Sequence, residues 1–193
     1  MSLKGVDSLD EIPWIFRVGF ILLLVSCLFH VIGLGSAHWA LTATDEYGTV
    51  EFAGLWEKCA DLNLGGDEAD FQCQGFVWED VQVSHWFRTI QTMQSMSFIG
   101  MLVVAALAAM YMFVPDLRGY STLRYISIFL LFLAGIFIVT TCIVFGSLKD
   151  VQKARTMPNS YVKLSWSFVL ALLAGILDFV VAVIFIIGGE RND

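Results

Sequence analysis

Long apolar stretches that are poor in charged residues dominate the pattern of hydrophobic and polar positions along the chain. Each has the length that a helix needs to cross a hydrocarbon core, for which about 20 residues are required. The pattern therefore predicts four membrane-spanning helices. The four stretches cover residues 14–36, 94–114, 123–146 and 166–188.

The composition supports a membrane protein and excludes several other classes. The chain of 193 residues is 58% hydrophobic and 15% charged, whereas an average soluble domain is about 45–50% apolar and roughly 25% charged. We therefore do not expect a soluble enzyme, a nucleic-acid-binding domain or a secreted disulfide module. Because no repeat or linker interrupts the sequence, we expect a single domain over residues 1–193, with loops at about 37–93 and 147–165 on one side of the membrane.

The cysteines indicate the orientation of the chain in the membrane. Basic residues are almost equally divided between the two sides, so the positive-inside rule does not decide. Cys59 and Cys73 both lie in the long loop, and a bridge between them would contribute roughly 3 kcal/mol, but only in an oxidising compartment. We therefore expect a plasma-membrane protein with an extracellular long loop and two cytoplasmic termini.

The long loop has a second pattern, in which aromatic and β-branched residues are concentrated in short runs. Turn residues separate these runs, which is typical of β-strands. We therefore expect a small antiparallel sheet stapled by Cys59 and Cys73, with edges that a partner strand can join. The runs cover residues 38–44, 49–56 and 71–78.

The long loop is also strongly acidic. Between residues 37 and 87, ten acidic residues accompany the single base Lys58, which gives a net charge of −9. The plain interpretation is a solvated face, and the alternatives are a field that concentrates cations or a face for a basic partner. The residues considered for such a face are Glu57, Asp61, Asp67, Glu68 and Asp70.

Metal binding and enzymatic activity have little support in the sequence. Asp67, Glu68 and Asp70 follow a turn and offer the carboxylate oxygens that calcium accepts, but they lack the spacing of a known calcium loop. There is no P-loop, dinucleotide fingerprint or other metal-ligand spacing, and no nucleophile motif accompanies the histidines. We therefore expect no enzyme, no metal and no cofactor.

A constellation of residues in and after the long loop resembles the signature of a known superfamily. Trp39 is followed by residues 54–56, which read Gly-Leu-Trp, then by Cys59 and Cys73, and then by Arg88 at the mouth of the second span. This order, placed after the first of four spans, resembles the pattern of the claudin, PMP22 and epithelial membrane protein superfamily.

The resemblance implies a claudin-like fold: an all-α transmembrane four-helix bundle with a small extracellular antiparallel β-sheet. It also implies a disulfide between the two loop cysteines and anchoring of the sheet at the membrane surface by Trp39 and Trp56. Large amphipathic tryptophan rings suit that role, Leu55 belongs to the same motif, and Gly54 lets two backbone segments approach closely. The implied function is structural or adhesive, at cell–cell junctions.

A second resemblance, to the calcium-channel γ and AMPA-receptor auxiliary branch of the same superfamily, implies a different role. It is carried by residues 159–161 and 166–168 and by an acid near the middle of the fourth span, and it implies an accessory subunit of an ion channel or receptor. A paracellular cation pathway is a third interpretation. It is disfavoured because Ala60 and Gln74, which follow the two cysteines, are neutral where charge-selecting claudins resemble one another in having nearby acids.

Asp178 lies near the middle of the fourth span. An acid there costs about 2.5–3.5 kcal/mol on insertion scales unless it is protonated or paired. The alternatives are an internal hydrogen bond, contact with a partner's transmembrane helix, and proton or ion handling, and we do not expect a pair with His30, which lies at another depth. The expected partners are the lipid bilayer and membrane proteins, either a second copy or a channel or receptor, and no nucleic acid.

Overall fold

The computed structural model describes residues 12–63, 70–76, 84–117, 121–153 and 160–190. Within these residues, four long helices and five short strands form the fold. The helices are α1 Trp14–Gly35, α2 His85–Phe113, α3 Ser121–Lys153 and α4 Trp166–Glu190, and the 3₁₀ turn Pro115–Leu117 links α2 to α3.

Each helix contains a stretch that is long and apolar enough to cross a membrane. The predicted four-helix transmembrane organisation is therefore confirmed, and the chain is a multi-pass membrane protein. The membrane-spanning stretches are Trp14–Gly35, His85–Phe113, Ser121–Leu148 and Trp166–Gly188.

Helix α2 begins at His85, well before the apolar stretch that the sequence predicts from residue 94. Its first turns mix polar and apolar residues, and their hydroxyl groups bond to the backbone of the preceding turn: Thr89 donates to the carbonyl of His85 at 3.1 Å, and Thr92 donates to the carbonyl of Arg88 at 2.9 Å. Because such a mixed extension has no continuous apolar run, the sequence places it in the long loop, which is therefore shorter than predicted.

The four helices run alternately in opposite directions, and α4 packs against both α1 and α3. Small residues allow this close packing. A Cβ atom at Gly33 of α1 would lie 3.0 Å from the backbone nitrogen of Ala171, and one at Gly175 would lie 2.9 Å from a methyl group of Ile138 on α3. Ala171 and Gly175 of α4 therefore allow close packing against α1 and α3, respectively.

Five strands form one antiparallel sheet at the end of the bundle where α1 ends and α2 begins. Their order is β4-β3-β2-β1-β5, so β5, which comes from the loop between α3 and α4, forms one edge and β4 forms the other. This sheet on a four-helix bundle confirms the predicted fold class. The strands are β1 Ala40–Thr44, β2 Gly48–Ala53, β3 Glu57–Asp61, β4 Phe71–Gly75 and β5 Ser160–Leu164.

The three predicted strand runs correspond to β1, β2 and β4, and each strand is shorter than its run. Strand β2 ends at Ala53 because the following residues turn the chain, and the backbone nitrogen of Gly54 donates to the carbonyl of Glu57 at 2.9 Å. Strands β3 and β5 were not predicted. Charged residues occupy both ends of β3. Strand β5 pairs with β1, which is far from it in the sequence.

Candidate functional site

Trp39, the first signature residue, joins the sheet to the bundle. Its side chain is fully buried, and its indole nitrogen donates a hydrogen bond to the backbone carbonyl of Gly33 at 2.6 Å. The ring packs edge-on against Phe145 of α3 and Phe168 of α4, with centroid distances of 5.1 and 5.8 Å. One side chain thus contacts three helices at the base of the sheet.

The expectation that Trp39 anchors the sheet at the membrane surface is wrong for this residue. Its ring is fully buried and cannot contact lipid headgroups. The burial follows from its backbone, which donates to the carbonyl of Ala53 and accepts from the nitrogen of Ser165, both at 3.0 Å. By contrast, Trp56 is 39% exposed and Trp166 is 49% exposed, so these two rings remain accessible to the surroundings.

Gly54 allows the turn between β2 and β3 to pack directly against the backbone that follows α1. A Cβ atom at this position would collide with the carbonyl oxygen of Ser36 and lie 2.6 Å from the Cα atom of Ala37. Because both obstacles are backbone atoms, only glycine fits here without a backbone shift. Leu55 follows it and is fully buried in the same hydrophobic cluster as Trp39.

Gln91 of α2 connects this turn to the bundle. Its amide nitrogen donates to the carbonyl of Leu55 at 2.5 Å, and its amide oxygen accepts a hydrogen bond from the guanidinium of Arg88 at 3.2 Å. The hydrogen bond from Gln91 satisfies the buried carbonyl of Leu55, which avoids the free-energy cost of an unpaired acceptor. The signature points to Arg88, whereas Gln91 was missed because a glutamine within a helix carries no pattern of its own. We call Trp39, Gly54, Leu55 and Gln91 the sheet seat.

The predicted disulfide between Cys59 and Cys73 is present. The two residues lie directly opposite each other on β3 and β4. Their sequence separation is 14 residues, and closing a loop of this size in the unfolded chain contributes about 3 kcal/mol in the chain-entropy model. The bridge fixes β4 to the part of the sheet that rests on the sheet seat.

Strand β4 forms an exposed edge of the sheet. Four of its five residues are exposed, and no other strand of the described residues pairs with its outer side. An edge strand of this kind presents unpaired backbone N–H and C=O groups, which another chain can join.

The ladder between β3 and β4 shows which groups of β4 point outward. At its ends, the nitrogen of Leu62 donates to the carbonyl of Asp70 at 2.9 Å, and the nitrogen of Phe76 donates to Trp56 at 2.8 Å. Antiparallel pairs alternate between bonded and non-bonded positions, so every second residue of β4 directs its N–H away from β3. These residues are Phe71, Cys73 and Gly75.

Asp61, one of the acids considered for ion selection, has a local structural role. Its Oδ1 accepts hydrogen bonds from the backbone nitrogens of Asn63 at 2.9 Å and Asp70 at 3.0 Å. One carboxylate oxygen is therefore engaged in closing the connection between β3 and β4. Asp70 itself is exposed at the start of β4.

The other acids of the proposed face are distributed along the loop. Glu57 shares its side of β3 with Cys59, because alternate residues of a strand point to the same face. Asp67 and Glu68 lie outside the described residues, so the calcium interpretation stays untested. Within the described ranges, no group of three or more His, Cys, Asp or Glu side chains is placed to hold a metal ion.

Two local interactions involve acidic residues of the loop. The single base Lys58 pairs with Glu51 across β2 and β3, with 2.7 Å between Nζ and Oε2. In the turn after β1, the neighbouring Glu46 carboxylate accepts a hydrogen bond from Tyr47 and raises the pKa of its hydroxyl. The single base of the loop is thus paired within the sheet, and Tyr47 is neutral at physiological pH.

Asp178 faces the interior of the bundle. Its side chain is fully buried, and its Oδ1 lies 2.8 Å from the hydroxyl of Ser26, which is also 2.9 Å from the carbonyl of Ala174. Among the described residues its Oδ2 has no hydrogen-bond partner. Asp178 thus makes an internal hydrogen bond, which is one of the three roles considered for it.

His30 is likewise buried within the bundle, separately from Asp178. Its Nδ1 lies 3.0 Å from the sulfur of Met101 on α2. Two turns earlier on α2, Gln94 donates to the hydroxyl of Thr141 at 2.6 Å. Buried polar contacts thus link α1 to α4, α1 to α2, and α2 to α3.

The fold and this site together define a four-span membrane protein whose disulfide-bonded sheet is seated on the bundle by a buried tryptophan. A family model described as PMP-22/EMP/MP20/Claudin tight junction matches residues 24–187. The chain therefore belongs to this family, as its signature residues predict. Proteins of this family are known as non-enzymatic structural membrane proteins. No curated protein is found to match the chain.

Proposed function

We propose that this protein is a structural, adhesive component of cell–cell contacts in the plasma membrane. Its sheet faces the extracellular space, both termini lie in the cytoplasm, and the sheet binds a second copy of the chain. Family membership supports the general class, and the geometry of the sheet supports the adhesive role.

The disulfide supports the orientation. Cys59 and Cys73 are bonded in the sheet, and disulfides persist in oxidising environments but are rare in the cytosol. All five strands of the described residues lie in one sheet at the same end of the bundle as this disulfide. The opposite end, where α1 begins and α4 ends, then faces the cytoplasm.

The exposed edge strand β4 is the observation that carries the adhesive proposal. The outward N–H groups of β4 belong to a strand that is covalently fixed to β3, and β3 connects directly to the sheet seat. A rigid edge needs little additional ordering before a partner strand adds to it, and main-chain hydrogen bonds supply the affinity in such strand addition.

Imaging of mixed cells tests this role. A fluorescent version of the full chain is expressed in part of a culture, and a lipid-anchored marker records simple overlap of two membranes. We expect enrichment at borders between two expressing cells, relative to borders with non-expressing cells and after correction by the marker. An even distribution over all borders contradicts the proposal.

The acidity of the long loop favours a second candidate function, that of an accessory subunit of an ion channel or receptor. The net charge of −9 between residues 37 and 87 makes two copies of the loop repel each other, whereas a basic partner is attracted. Affinity purification in mild detergent tests this candidate, and recovery of self-copies alone argues against it.

A paracellular cation pathway has the least support. The acids of the loop favour cations, but Asp61 uses one carboxylate oxygen for backbone hydrogen bonds, and the residues after the two cysteines are neutral. Charge reversal by Glu57→Lys together with Asp61→Lys is the direct test. Unchanged sodium permeability of a cell monolayer expressing this variant rejects the pathway.

A further inference from the structure

Tyr47 lies in the turn of the hairpin that β1 and β2 form. Thr44 and Gly48 are the last residues that the two strands pair, and Tyr47 directly precedes Gly48. The backbone nitrogen of Tyr47 donates to the hydroxyl oxygen of Thr44 at 3.1 Å. Gly48 has a φ of 71°, the left-handed conformation that short hairpin loops use. These contacts define the turn through the backbone of Tyr47 rather than through its ring.

The side chain of Tyr47 is accessible to other molecules. It is 47% exposed, and every residue from 45 to 48 is exposed. Strand β1 leads from the end of α1 to this turn, so the turn lies at the end of the hairpin that is remote from the bundle. An enzyme can therefore reach the hydroxyl of Tyr47 without unfolding the sheet.

The surroundings of Tyr47 are acidic. Asp45 and Glu46 directly precede it and are both exposed, and the carboxylate of Glu46 accepts a hydrogen bond from the Tyr47 hydroxyl. The single base of the loop, Lys58, is paired with Glu51 within the sheet. The turn therefore presents a nucleophilic hydroxyl beside two negative charges, and it attracts an enzyme whose active site is positively charged.

We propose that the hydroxyl of Tyr47 is sulfated while the protein passes through the secretory pathway. The proposal rests on the extracellular orientation of the sheet proposed above, because the lumen of that pathway corresponds to the outside of the cell. The donor of sulfate is phosphoadenosine phosphosulfate. A sulfotransferase must bind the phosphate groups of this donor with basic residues, which suits an acidic acceptor such as the turn of Tyr47.

The reaction is a simple group transfer. The phenol oxygen of Tyr47 attacks the sulfur atom of the donor, and the bond between sulfur and the phosphate oxygen breaks. Adenosine bisphosphate leaves, and a base of the transferase takes the phenol proton. The product is a sulfate ester with a permanent negative charge, which adds to the charges of Asp45 and Glu46 at the tip of the hairpin.

Metabolic labelling of the full chain tests the proposal. Mammalian cells that express the protein are grown with radioactive sulfate, and the protein is isolated from the cell surface after biotinylation. We expect the wild type to carry the label and Tyr47→Phe to fall to background. Asp45→Asn together with Glu46→Gln keeps the hydroxyl but removes the two charges, and its labelling should be clearly reduced.

Tyr161→Phe is the matched control. Tyr161 belongs to the same sheet, but it is half-buried, and its neighbours in the sequence, Ser160 and Val162, are uncharged. This variant is expected to be labelled like the wild type. Undiminished labelling of Tyr47→Phe overturns the proposal, as does the incorporation of radioactive phosphate instead of sulfate at Tyr47.

The orientation is measured separately with an epitope tag at the N-terminus, which antibodies should stain only after the cells are permeabilised. Wild-type protein that has this orientation and reaches the surface without sulfate overturns the sulfation of Tyr47 alone. Staining of the tag on intact cells contradicts the orientation, and the sulfation with it. The two failures are therefore distinguishable.

Discussion

The indole nitrogen of Trp39 lies 2.6 Å from the carbonyl oxygen of Gly33 in the last turn of α1. Carbonyl groups in the last turn of a helix have no partner within the helix, and this one is satisfied by the side chain that also packs between α3 and α4. The end of α1 and the beginning of the sheet therefore stabilise each other through a single residue.

Trp39→Phe retains an aromatic ring but removes the donor. We expect a loss of about 1–3 kcal/mol in the free energy of unfolding, because the buried carbonyl of Gly33 is left unsatisfied. Unfolding in detergent, followed by tryptophan fluorescence or by a thermal shift, measures the loss. Trp166→Phe is the control, since this ring is 49% exposed and its loss should change stability by less than about 0.5 kcal/mol. Equal effects of the two variants would show that the hydrogen bond contributes nothing.

Gly54→Ala places a methyl group against the backbone of Ser36 and Ala37. Since backbone atoms cannot move aside cheaply, we expect a destabilisation of at least about 1–3 kcal/mol, as for overpacked sites. Gly75→Ala is the matched control in the same sheet, because its Cβ would meet only the carbonyl oxygen of Trp56 at 3.8 Å. Comparison of the melting temperatures of the two variants checks this. If Gly54→Ala were as stable as Gly75→Ala, the close contact of Gly54 with the backbone of Ser36 and Ala37 would be contradicted.

Cys59→Ser removes the bridge between β3 and β4, at a cost of about 3 kcal/mol. We expect this variant to be retained inside the cell, because β4 is no longer fixed to the sheet. Surface biotinylation measures delivery to the plasma membrane. The control is Cys27→Ser, which changes a free cysteine and should reach the surface normally. Normal delivery of Cys59→Ser would show that the disulfide is not needed for folding.

The two partners of the buried hydrogen bond in the bundle should respond unequally to substitution. Ser26→Ala leaves the carboxyl group of Asp178 without its donor, which costs about 1–3 kcal/mol. Asp178→Leu removes the buried polar group, and the single O–H of Ser26 can then donate to the carbonyl of Ala174, so we expect a neutral or stabilising effect.

Unfolding of both single variants and the double variant measures this asymmetry. The double variant should recover most of the stability that Ser26→Ala loses, because the unpaired carboxyl group is then gone. A strong destabilisation by Asp178→Leu would instead show that the carboxyl group makes a favourable contact that the hydrogen bond to Ser26 does not account for.

The helices were predictable because the thickness of a bilayer sets a length that apolar residues must fill. A continuous apolar run marks most of α2 but not its first turns, which begin at His85, mix polar and apolar residues, and contact the sheet through Gln91. The sequence showed that burial of Asp178 is unfavourable unless the carboxyl group has a partner. It could not show that the partner is Ser26, because that depends on how α1 and α4 pack.

The signature residues were predictable as a set, but their individual roles needed the structure. Trp39 was expected at the membrane surface because tryptophans favour interfaces, yet its backbone bonds to Ala53 and Ser165 draw the ring into the core. Strand β5 was missed because its pairing with β1 joins segments that are far apart in the sequence. Such contacts arise from the assembly of the bundle and leave no local pattern.

The adhesive role of the exposed edge strand is tested most directly by removing one outward N–H group of β4. Gly75→Pro removes this group without removing a ladder bond to β3, and proline is tolerated in edge strands. Gly75→Ala keeps the N–H group and serves as the control. Enrichment at borders between two expressing cells is the measurement, with surface biotinylation to show equal delivery of both variants. We predict that Gly75→Ala is enriched like the wild type and that Gly75→Pro is not. Equal enrichment of the two variants would contradict adhesion through β4.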